Sequence, residues 1–162
     1  GTKGTHDRAG RLAPVMLIGL PLAVIGSSIT VTISGDWRLL PAVLGMNIAV
    51  LLVASGVSSV FSSFMPYPAT RPGDSPFAQP AVQGSGAGLA QTLSMLVALV
   101  LALPPVLFAA YAIAYPTFEL NVMALVLGVL WGLILLGLGV LIGGKAFDRG
   151  APELIAVTQT FD

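Results

Sequence analysis

Charged residues break this chain at intervals, and between the breaks the sequence is apolar. No Asp, Glu, Lys or Arg occurs between Arg11 and Asp36, between Arg38 and Arg71, between Asp74 and Glu119, or between Glu119 and Lys145. A soluble helix places polar or charged side chains along its wet face every turn or so. A charge at the centre of a bilayer-spanning helix costs roughly 2.5–3.5 kcal/mol on insertion scales. Confinement of charge to the breaks therefore means that lipid is the solvent of the runs. Crossing a hydrocarbon core of about 30 Å takes about 20 apolar residues. The runs 12–33, 39–64, 89–115 and 120–144 are each long enough. None alternates with the two-residue period of a barrel strand. The pattern predicts an all-α polytopic membrane protein with four transmembrane helices. An N-terminal stub (1–11), a loop (65–88) and a tail (145–162) complete the chain.

Composition adds little beyond agreement: 56% hydrophobic and 9% charged residues. The absence of cysteine excludes disulfides and thiol chemistry. The first run exceeds the 7–15 residues of a signal-peptide core and three more follow it. The chain opens Gly1-Thr2-Lys3-Gly4 without a methionine, so a fragment of a longer protein is expected.

The placement of basic residues gives a direction, because Lys and Arg in short loops stay in the cytoplasm. With four spans, both termini and the central loop share a side. That side holds Lys3, Arg8, Arg11, Arg71, Lys145 and Arg149, whereas the other holds only Arg38. The expected protein is multi-pass in the cytoplasmic membrane with both termini cytoplasmic. Trp37, Tyr111, Tyr115 and Phe118 would form the outer aromatic belt.

Within the runs, a few residues depart from plain hydrophobicity. Pro14 is expected in the first turn of helix one and Pro41 in that of helix two. Ser55, Ser59 and Ser62 fall on one face of helix two. They permit close helix packing or line a hydrophilic path. Asn47 is the most polar residue well inside a run, either structural glue or a substrate contact. The third run would measure about 40 Å as a straight helix. Pro104 and Pro105 remove two backbone donors from it, so a kink or break is expected. Such a kink marks a transport site or merely fits an overlong helix. In helix four the pairs Gly128/Gly132 and Gly139/Gly143 have the spacing that favours tight helix crossing. Trp131 reads as a packing residue.

The loop carries five prolines between residues 66 and 80, which stiffen it. Tyr67, Arg71, Asp74 and Phe77 make it either a docking surface for a soluble partner or a connector lying on the membrane. In the tail, Pro152 with Glu153 is a plausible start for a short surface helix.

Catalytic chemistry has little to work with. His6 is the only histidine and lies in the stub. No acidic pair, HExxH motif or cysteine cluster occurs, so no metal, other cofactor or enzymatic activity is expected. Residues 139–145 fit GxxxxGK, but Ala146 replaces the Ser or Thr that would hold magnesium. The match also ends an apolar run instead of joining a strand to a helix. Nothing points to nucleic acid. No carboxylate lies inside a run, which argues against self-powered ion coupling.

The segment GVSSVFSSFMPYPATRPGDSPF, residues 56–77, resembles the stretch between two late helices in permease subunits of ATP-binding-cassette (ABC) exporters of the large actinobacterial type. GGKAFDRGAPEL, residues 143–154, is similar to the end of such chains. The resemblance implies the C-terminal segment of a bacterial exporter permease. A separate cytoplasmic ATPase subunit would supply energy, and a missing N-terminal half or a homodimer mate would complete the pathway by alternating access. The contrasting expectation is a small four-span scaffold or assembly protein without transport.

Overall fold

A computed structural model of the chain describes residues 4–64 and 86–158. The docking residues Tyr67, Arg71, Asp74 and Phe77 lie outside the described residues. The described residues form four long helices and one 3-10 turn. They are α1 (Gly4–Ser34), η1 (Trp37–Leu39), α2 (Leu40–Phe64), α3 (Gly86–Ala114) and α4 (Phe118–Thr158). Each contains a segment long and apolar enough to cross a membrane: Leu12–Ser34, Trp37–Ser63, Gly88–Ala114 and Phe118–Ala146. No strand occurs among the described residues. The protein is an all-helical, multi-pass membrane protein.

Short capped hairpins join the helices in pairs. Gly35, at φ +76°, ends α1 in the left-handed conformation that glycine adopts without steric cost. Its N–H donates to Val31 O at 3.0 Å. The Asp36 carboxylate then accepts from the Arg38 N–H at 3.0 Å and opens the next turn. At the other hairpin the Thr117 hydroxyl accepts from Leu120 N–H at 3.3 Å, capping α4.

Two sequence expectations change. α1 starts at Gly4, so Pro14 lies inside the helix and not in its first turn. The backbone of α4 continues as one helix to Thr158, so the surface helix expected at Pro152 is no separate element. The third helix is unbroken through Pro104 and Pro105, and the pair therefore does not interrupt it.

The centre of the bundle is the seam between α2 and α4, which run parallel. A methyl group built on Gly45 would lie 2.5 Å from the Leu125 Cα, and one on Gly128 would lie 2.5 Å from the Gly45 carbonyl oxygen. Three turns on, a methyl on Gly56 would meet Leu135 O at 2.7 Å, and one on Gly139 would collide with the Gly56 carbonyl. On Gly143 it would sit 2.6 Å from Ser59 O. These separations leave no room for any side chain. Lipid tails are as apolar as leucine, so hydrophobicity cannot drive helices together within the bilayer; close van der Waals contact does. Ala49, Leu52 and Val53 are buried between the glycine crossings.

α1 and α3 flank this pair, and each packs against both α2 and α4. Towards the hairpins, Ala109 and Ala112 of α3 join Ala42 and Ala124 in one buried cluster. Towards the termini, Ala102 joins Val53 and Val57. Long side chains such as Leu17, Ile18, Ile33, Leu107 and Leu130 point outward and are exposed. In a membrane those faces meet lipid.

Filling the seam should separate the helices. Gly56→Ala and Gly139→Ala are each expected to cost roughly 1–3 kcal/mol by overpacking. Gly137→Ala, which meets nothing within 4 Å, should cost nothing measurable. Unfolding by titration with a denaturing detergent reads the difference; equal behaviour of all three variants would contradict the seam.

Candidate functional site

A groove with polar lining lies between α1 and α2, in the half of the bundle nearer the termini. There the helices part and leave a groove of about 420 Å³. Leu12 and Val15 of α1 form one wall, and Leu51, Ala54, Ser55, Ser58, Ser59 and Ser62 of α2 form the other. Helical spacing explains the grouping: residues 51, 55, 58, 59 and 62 recur at steps of three and four and share a face. Ser55 and Ser59 are buried at the floor, while Ser58 and Ser62 are exposed at the mouth. Its lining among the described residues is aliphatic and hydroxyl-bearing.

Hydroxyls at membrane depth need partners, because an unpaired polar group in hydrocarbon is costly. The Ser55 hydroxyl donates to Leu51 O of its own helix at 2.7 Å. Ser62 donates to Ser59 O at 3.2 Å. With its proton committed, the Ser55 hydroxyl oxygen still carries lone pairs. The groove thus offers hydrogen-bond acceptors beside aliphatic walls.

On the hairpin side of the groove, α1 is pinned to α2. The Asn47 amide donates to the Ser27 hydroxyl at 2.9 Å, and Ser27, fully buried, donates onward to Ala23 O at 2.6 Å. Asn47 therefore bonds α1 to α2 and is not among the groove's lining residues. Nearer the groove, Gly19 of α1 rests against the Leu51 side chain. Beyond that contact the groove lies between the two helices.

A second polar contact accounts for one of the two prolines. Pro105 has no N–H for the carbonyl of Leu101, one turn back. The Trp131 indole N–H of α4 donates to that carbonyl at 2.9 Å. A neighbouring helix thus satisfies a backbone group freed by proline, the condition under which proline is tolerated in a span. Sequence reading placed Trp131 as a packing residue and missed this role. The signal was present as an indole donor on one span and a proline on another, but nothing in the sequence fixed their depth or facing.

At the end of the seam nearest the termini, the Ser63 hydroxyl donates to Gly143 O at 2.9 Å. Gly128, Gly132, Gly139 and Gly143 all face α2 within the same chain. Ser55 and Ser59 have both positions that their spacing allowed, close to the seam and on the groove. Pro104 and Pro105 stand on α3, away from the groove's lining. Gly45, to which the sequence assigned no role, is a main crossing point. Among the described residues no three His, Cys, Asp or Glu side chains gather where a metal ion could sit.

No protein family, curated protein or solved structure matches this chain.

The chemical content of the site is a hydroxyl-bearing groove beside a closed helix seam. Trp131→Phe keeps the ring and removes the donor to Leu101 O. It should destabilise the fold by roughly 0.6–1.7 kcal/mol, the range of interhelical hydrogen bonds in a membrane. Detergent-induced unfolding of the variant, followed by circular dichroism, checks this. An unchanged midpoint would show that the bond contributes nothing.

Proposed function

We propose that this chain is a membrane-spanning permease segment of an ABC exporter, moving its substrate across the cytoplasmic membrane with energy from a separate ATPase subunit. The observation that carries the reading is a polar groove at membrane depth in a bundle without an internal charge. Arg38, Glu119 and Lys145 are the only charged residues of the four spans, and each lies within two residues of a span's end. A groove of hydroxyls can hold a polar solute, and no carboxylate lies in the interior of the spans, where proton or sodium coupling usually places one. Energy then comes from outside the membrane, which agrees with the resemblance of the 56–77 segment to exporter permeases.

In this reading the termini and the proline-rich loop are cytoplasmic, on the side with the basic excess. The groove lies towards that side, where a substrate leaving the cell would be collected. The ATPase docks on the loop through Tyr67, Arg71, Asp74 and Phe77, and the missing half of the permease or a second copy covers the outward faces of α1 and α3. The protein itself performs no catalysis.

A second reading, a four-span scaffold without transport, draws on the closed α2–α4 seam. That seam leaves no central path and would suit a rigid assembly platform. The two readings differ in one measurement. The natural full-length protein, purified in mild detergent from its own host, should bring down an ATPase whose turnover rises severalfold in its presence. Arg71→Glu in the loop should abolish the stimulation without unfolding the membrane part. An ATPase-free preparation of the full-length protein would favour the scaffold and overturn the exporter.

A further inference from the structure

The α2–α4 seam is fastened unevenly along its length. Towards the termini it has the Gly56/Gly139 crossing, the close approach of Gly143 to Ser59 O, and the hydrogen bond from Ser63 to Gly143 O. Towards the hairpins the last glycine crossing is Gly45/Gly128. Beyond it the contact is made by Ala42 and Ala124 with Ala109 and Ala112 of α3, and longer side chains such as Phe108 and Leu120 pack at their edge. Among the described residues, no side-chain hydrogen bond joins two helices beyond that crossing. The interhelical bonds described above start from Asn47, Ser63 and Trp131, all on its terminal side.

Asn121 sits in this loosely fastened end. It precedes Ala124 and Gly128 by three and seven residues, the spacing of one helix face, and it is completely buried. Its side-chain N–H donates to Thr117 O at 2.9 Å, a carbonyl that the Asn121 backbone N–H already reaches at 3.1 Å. Its side-chain oxygen, Oδ1, accepts from no described group. The amide thus adds a second donor to a carbonyl that is already paired, while its own acceptor is left unpaired. An unpaired buried acceptor disfavours the state that buries it. Water is close by: Asn121 is three residues, about 4.5 Å along the axis, from the first residue of α4. Pro116, Thr117, Phe118 and Glu119 before it are exposed.

We propose that Asn121 keeps the hairpin end of the seam poised to open. α2 and α4 part beyond Gly45/Gly128, water enters by one turn, and Oδ1 gains the donor that the closed form withholds. The glycine crossings and the Ser63 bond hold the rest of the seam, so the movement pivots at Gly45/Gly128. What separates at the centre of that end is contact between alanine methyl groups, which carry fewer dispersion contacts than long side chains. An apolar residue of similar size at position 121 removes the reason to open and closes the end more firmly. The device needs no ATPase and stands apart from the exporter reading.

Single cysteines in the cysteine-free sequence read the opening. The full chain is purified in mild detergent as Ala42→Cys, completely buried at the hairpin end, and as Ala49→Cys, equally buried between the glycine crossings. Each is treated with the water-soluble thiol reagent methanethiosulfonate ethyltrimethylammonium, and modification is timed by mass spectrometry. Ala42→Cys should react many times faster than Ala49→Cys, because a buried thiol is reached only through opening. Asn121→Leu removes the unpaired oxygen and leaves Thr117 O its backbone bond. It should slow modification of Ala42→Cys about fivefold or more, the lower end of the penalty for an unpaired buried group, and leave Ala49→Cys unchanged. An unchanged or raised rate for Ala42→Cys in the leucine variant would overturn the proposal; a held water already serving Oδ1 would give that result. Equal reaction of the two cysteines would overturn it as well, since the whole bundle would then be opening. Should Asn121→Leu fail to elute as a folded species, Asn121→Met makes the same comparison with a more adaptable chain, and Ala112→Cys can replace Ala42→Cys. Failure here leaves the exporter reading untouched, because no step of the measurement involves an ATPase.

Discussion

Everything in this bundle depends on how closely the backbones of α2 and α4 approach. At Gly45/Gly128 and Gly56/Gly139 the carbonyl of one helix occupies the space where a side chain of the other would stand. Two helices in lipid gain nothing from leaving water, since neither face is wet, so contact area at short range has to supply the attraction. Glycine at the crossings makes that range available along most of both spans. The seam also sets the common register, and the surfaces on which α1 and α3 rest follow from it.

Polar groups then fasten the interfaces one by one. Asn47 bonds α1 to α2 through Ser27, Trp131 bonds α4 to α3 through Leu101 O, and Ser63 bonds α2 to α4 through Gly143 O. The first two serve groups, an amide and a carbonyl freed by proline, that are costly to leave unpaired in a medium without water. The tryptophan contact is informative because it shows why Pro105 can stand inside a continuous helix. The carbonyl it frees is taken up by a neighbour, so the span keeps its form.

The same arrangement explains where function can reside. The seam is closed by backbone contact. The departure lies at the side, where α1 leaves α2 beyond the Gly19–Leu51 contact and four serines line the opening. The charged residues of the four spans stand at the span ends, away from the middle of the bundle. In the proposed exporter a separate ATPase supplies the energy.

The sequence by itself determined the solvent and the number of spans. A charge at mid-membrane is so costly that its absence over four long runs leaves little freedom. It also marked Gly128, Gly132, Gly139, Gly143 and the serine row as interfacial, though without naming the partner. It did not show that Gly45 was a crossing point, that Asn47 reaches Ser27, or that Trp131 serves the carbonyl freed by Pro105. The physical reason is the bilayer. In water, the polar face of a helix shows which side is outward and the apolar stripe shows which side is buried. In lipid both sides are apolar, so helix rotation and pairing are set by close packing and a few hydrogen bonds, and only the tertiary structure decides them.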